Sequence, residues 1–110
     1  MPRPLFALLL LALGLPLSGF AAGLPTYQLV IRDGHFTPPL LEVPAGQRFK
    51  IVLHNQGQGP AEFESTPLRV EKVMSPGVTS FVVIHPLRPG HYAFFDEFHL
   101  ELPEGGIVAK

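Results

Sequence analysis

The side chains able to do chemistry gather late in the chain. The stretch Phe94 to Val108, "FFDEFHLELPEGGIV", runs from an aromatic strand into four acids and a histidine: Asp96, Glu97, His99, Glu101 and Glu104. Glu62, Glu64 and Glu71 precede them, so seven of the nine acids fall in the second half of the sequence. Negative charge concentrated in this way suits a cationic ligand better than an anionic one. The absence of cysteine excludes a thiolate centre and a disulfide framework alike. His35, His54, His85 and His91 stand near turns or strand ends without a metal-binding spacing, and they read as structural or solvated. Met74 needs no role beyond filling the core. There is no G-x-S-x-G elbow and no phosphate loop, which argues against a hydrolase or a nucleotide enzyme.

The elements that must position these groups are strands. Runs rich in Val, Ile, Phe and Leu recur at short intervals, each closed by Pro or Gly: "TYQLVIR", "LLEVPAG", "RFKIVLHN", "AEFES", "LRVEKVMSPG", "VTSFVVIHPLRPG", "HYAFF" and "GIVAK". Beyond the N-terminal segment, no window shows a helical period free of proline, so an all-β sandwich or barrel is expected. In "RFKIVLHN", Phe49, Ile51 and Leu53 share a face suited to the core, while Arg48, Lys50 and His54 share the other. Ala45-Gly46, Ser75-Pro76-Gly77, Arg88-Pro89-Gly90 and Gly105-Gly106 read as tight connections. Pro38 and Pro39 cannot sit in a central strand, so "HFTPPLLEV" is expected to cross at a sheet edge. Tyr92 is expected to close a Greek-key corner through its hydroxyl.

Residues 1–23, "MPRPLFALLLLALGLPLSGFAAG", place one Arg before an apolar run and end in small residues, the pattern of a cleavable signal peptide. Export to the periplasm follows as an expectation, and residues 24–110 form one small domain. Loss of Arg3 with that segment leaves seven basic against nine acidic residues, and no basic patch points to nucleic acid.

The segments "FTPPLLEVPAG", "PGHYAFFDEFH" and "GGIVAK" resemble the cupredoxin fold, a Greek-key β-sandwich that holds a metal between loops at one end. More closely, "PAEFES", "LRVEKV" and "PLRPGHYAFFDEFH" look like the cupredoxin-like domain of EfeO-type periplasmic iron-uptake proteins. A blue-copper protein uses an early His and a late Cys-x2-His-x4-Met loop; here the late spacing is kept as Asp96-x2-His99-x4-Glu104, and the early position falls at Ala61 or Glu62. The resemblance therefore implies a metal set of Glu62, Asp96, His99 and Glu104, supported by Glu64 and Glu97. Without a thiolate the trigonal copper electron-transfer centre is out of reach. Carboxylates with one imidazole suit iron, manganese or cupric copper, and anionic oxygens favour ferric over ferrous ion.

Each residue keeps an alternative. Asp96 also fits a strand-end cap for loop amides, His99 a solvated histidine, and Glu104 a surface turn. With Phe63 inward, strand parity points Glu62 and Glu64 outward, against the motif register. Glu71 with Lys72 is either a solvated pair or a wall of the acidic end. The function implied is metal handling, of iron with copper as a second ion, for periplasmic or inner-membrane components of an iron-uptake system, as non-enzymatic binding ahead of a ferroxidase-type accessory role. The alternative is a metal-free interaction module that docks on a periplasmic partner through its acidic end.

Overall fold

A computed structural model describes residues 23–110, so the expected signal segment lies, but for its last residue, outside the described part. Nine strands follow in order: β1 Thr26–Arg32, β2 His35–Thr37, β3 Leu40–Val43, β4 Phe49–Asn55, β5 Ala61–Ser65, β6 Val70–Met74, β7 Thr79–Ile84, β8 Gly90–Phe94 and β9 Gly105–Ala109. The described residues form no α-helix; a single 3-10 turn, Glu97–His99, interrupts the loop between β8 and β9.

The strands make an all-β sandwich of the cupredoxin-like kind. One sheet has the order β2-β1-β4-β7, the other β3-β9-β8, and β5-β6 form a separate hairpin. That hairpin joins the second sheet by a reciprocal backbone pair, Glu64 N–H donating to Phe95 O at 3.0 Å and Phe95 N–H to Glu64 O at 2.8 Å, and by Ser65 Oγ donating to Ala93 O at 2.8 Å. The two prolines do mark a crossing. β2 pairs with β1 at one sheet's edge, and β3 resumes against β9 at the edge of the other.

Burial follows strand parity. Phe49, Ile51 and Leu53 of β4 are buried with Leu29 and Ile31 of β1, facing Leu41, Val43, Phe63, Phe94 and Ile107 from the opposite side. Phe94 anchors the core near the acidic loop, with ring centroids 4.9 Å from Phe36 and 4.8 Å from Phe63; such pairs add about 0.5–1.5 kcal/mol each beyond area burial. Met74 is buried among these residues. Tyr92 Oη donates to the carbonyl of Arg88 at 2.8 Å and closes the turn into β8.

One reading of the sequence needs correction. Gly105 and Gly106 do not form a turn; they open β9 and are bare because partner-strand rings occupy the space above them. A Cβ on Gly105 would collide with the ring of Phe94, and one on Gly106 would lie 2.5 Å from Nε2 of His91.

Candidate metal centre

The loop before β5 is set by a buried amide. Asn55, 2% exposed, donates from Nδ2 to the carbonyls of Gly59 and Met74 at 2.9 and 3.0 Å, and its Oδ1 accepts from Gly57 N–H at 2.9 Å. The chain therefore enters β5 at a fixed height. Along β5, Ala61, Phe63 and Ser65 are buried against the core, and alternation sends Glu62 and Glu64 to the opposite face. That face is not solvent. The 3-10 turn lies over it, and Glu97 N–H donates to Oε1 of Glu62 at 2.9 Å, leaving Glu62 only 1% exposed. Parity and motif register thus cease to conflict, because the outward face of β5 is itself covered.

The hairpin supplies the remaining acid. In the β5–β6 register Glu64 stands directly opposite Glu71, and like charges so placed destabilise a hairpin. One carboxylate oxygen from each of Glu62, Glu64, Glu71 and Glu97 lies within 4.8 Å of the others. The pKa of Glu62 is pushed up from 4.5 to about 8, first by burial, then by proton sharing with Glu71 and Glu64 and by the charge of Glu64; the Glu97 amide opposes the rise. A carboxyl in this state keeps its proton at neutral pH until a cation displaces it.

Asp96 and His99 are used differently. Asp96 is 2% exposed and caps the 3-10 turn, its Oδ1 accepting from Phe98 N–H at 2.9 Å. Its Oδ2 faces Nδ1 of His99 at a long 3.4 Å. His99 rests on Gly34, whose φ of +87° places it in the left-handed region. A Cβ at residue 34 would come within 2.5 Å of the His99 Cβ. Asp96, His99 and Glu104 line a cleft of about 180 Å³ together with Phe36, Phe95, Leu100, Leu102 and Pro103.

The six residues singled out from the sequence therefore fall into two groups around one turn. Glu62, Glu64 and Glu97 converge, with Glu71 as their fourth member. Asp96 and His99 touch each other, and Glu104 shares their cleft. Among the described residues, the group of four glutamates is the one set of three or more acids or imidazoles that comes this close. The weight of Glu71 was readable from hairpin register; the seat that Gly34 gives His99 had no signal in the sequence.

The donor chemistry decides what such a group fits. Four carboxylates within 4.8 Å of one another can meet a hard cation at bonds of about 2.0–2.6 Å. They do not fit the thiolate-bound copper centre, since the chain has no cysteine.

Comparison with known proteins agrees with the fold. A protein of Rickettsia prowazekii (strain Madrid E) is 33% identical over 83 residues, 76% of this chain, and the chain spans 66% of that relative's length. Among solved structures, a purple cupredoxin from Nitrosopumilus maritimus is similar at a TM-score of 0.58 and 17% identity, covering 76% of this chain and 99% of that one. A copper binding protein solved in its apo form is similar at a TM-score of 0.67 and 17% identity, covering 77% of this chain and 86% of its own. The family model described as "Cupredoxin-like domain" matches residues 5–109. On that match, which takes in every strand of the sandwich, the chain belongs to the cupredoxin-like domain family.

Proposed function

We propose that this protein is an exported metal carrier that handles iron, with copper as a second cargo, for the permease components of a periplasmic or inner-membrane iron-uptake system. The observation that carries the reading is the convergence of Glu62, Glu64, Glu71 and Glu97, three of them on one hairpin and the fourth on the turn above it. Four acids held together at a cost in mutual repulsion are compensated by a cation. Anionic oxygens favour the ferric state, so ferrous ion held here would be easier to oxidise, its electron passing to dioxygen or a redox partner. Similarity to the cupredoxins adds copper as a cargo, while the donor set argues for harder ions.

The test is titration of the purified protein with ferrous, ferric and cupric ions, comparing wild type with the double variant Glu64→Gln, Glu71→Gln. Both side chains lie away from the core, so the variant should fold. Affinity for ferric ion is expected to fall at least about tenfold, the factor equivalent to about 1.4 kcal/mol; equal affinities would overturn the assignment. Cupric binding alone would prove little, because cupric ion outcompetes ferrous at most such sites. The double variant Asp96→Ala, His99→Ala asks whether the neighbouring pair also contributes.

A second reading, a docking module without a metal, draws on Phe98 and Leu100. They are 48% and 68% exposed and lie between Glu97 and Glu101. It would be favoured if the protein bound no iron in either oxidation state.

A further inference from the structure

The cleft beside the 3-10 turn is distinct from the group of four glutamates, with which it shares no lining residue. Its walls are largely apolar: Phe36, Phe95, Leu100, Leu102 and Pro103. Three polar side chains, Asp96, His99 and Glu104, complete it. We propose that this cleft binds a small uncharged aromatic alcohol of the phenol or catechol class, its ring against the apolar wall and a hydroxyl donating to Nε2 of His99.

Size comes first. The cleft measures about 180 Å³, and an engineered apolar cavity of about 150 Å³ in another protein accommodates benzene. One substituted ring fits it.

The polar groups then select the chemistry. A carboxylate facing Nδ1 of His99 favours the tautomer with its proton on Nδ1, which leaves a lone pair on Nε2. Among the described residues Nε2 has no hydrogen-bond partner and no partnerless side-chain nitrogen or oxygen is buried, so it is open to solvent. Asp96 is committed elsewhere: Oδ1 to the Phe98 amide and Oδ2 to the imidazole. What remains for a ligand is acceptors, Nε2 and the carboxylate of Glu104. The ligand must therefore supply donors and carry no negative charge.

The imidazole is held rather than loose. Asp96 fixes one side of it, and its Cβ and Cγ press on the bare backbone of Gly34, where any side chain would lie within 2.6 Å of them. A second acceptor at Glu104 favours adjacent hydroxyls, and hence catechol over phenol.

The experiment is an NMR titration of the isotopically labelled full chain with phenol and catechol in the presence of a chelator. Benzene and benzoate serve as ring-matched probes lacking the donor or carrying the wrong charge. Saturable shifts confined to Phe36, Phe95, His99, Leu102 and Glu104 are expected, with benzoate at least about tenfold weaker than phenol. His99→Leu, which keeps bulk and removes the acceptor, should weaken phenol about five- to tenfold. Glu104→Gln should weaken catechol but leave phenol unchanged, a readout that does not depend on the fold of the His99 variant. Equal binding of benzene and phenol, or no saturable shift up to about 10 mM, would overturn the proposal. The result is separable from the metal reading, since the cation titration reports on Glu64 and Glu71, which lie outside the cleft.

Discussion

Burial governs Glu62 before any ion arrives. Its raised pKa means that the folded protein holds a proton which the unfolded chain has released between pH 4.5 and about 8. Stability of the metal-free protein should therefore fall as pH rises across that window and level off above it. Glu62→Gln keeps an oxygen to accept from Glu97 N–H and removes the ionisation. Thermal melts with chelator at pH 5 and pH 9 should show a smaller loss of midpoint in this variant than in wild type. Unequal legibility is plain at this scale. The resemblance to a known family singled out six side chains, and the sequence carried Asp96 both as ligand and as cap; the hydrogen bond to Phe98 shows the cap. Neither could divide the six into two groups, because that division depends on which side of a three-residue turn each one lies, and no periodicity records it.

Elements show a different balance. Most strand runs were legible from alternating apolar residues, and the edge crossing at Pro38-Pro39 from a missing amide hydrogen. The start of β9 was not, because a glycine pair looks the same whether it turns the chain or makes room for a neighbour. Here it makes room: the rings of Phe94 and His91 occupy what side chains at 105 and 106 would fill. Gly105→Ala should accordingly destabilise the protein by about 1–3 kcal/mol through overpacking, seen as a lower urea midpoint at unchanged slope. Gly34 belongs to the same class of hidden constraint, with a left-handed backbone added.

At the scale of the whole molecule, the sandwich was readable because a domain this small has few ways to bury alternating strands without a helix. A cation that binds the folded glutamates and not the unfolded chain must stabilise the whole sandwich, by about 2.7 kcal/mol at a hundredfold excess over Kd. Differential scanning calorimetry should show the melting temperature rising with ferric ion in wild type, and a clearly smaller rise in Glu64→Gln, Glu71→Gln. One residue links this acidic pole to the architecture. The backbone of Glu64 makes the reciprocal pair with Phe95 that ties the hairpin to the second sheet, while its carboxylate belongs to the group of four. At residue 64 the seam uses only peptide atoms, the side-chain link being Ser65 Oγ to Ala93 O, so almost any residue at 64 could preserve it. The donor set can thus drift by side-chain replacement at this pole without loosening the join, and a scaffold of this kind can change what that pole offers a ligand without first relearning how to fold.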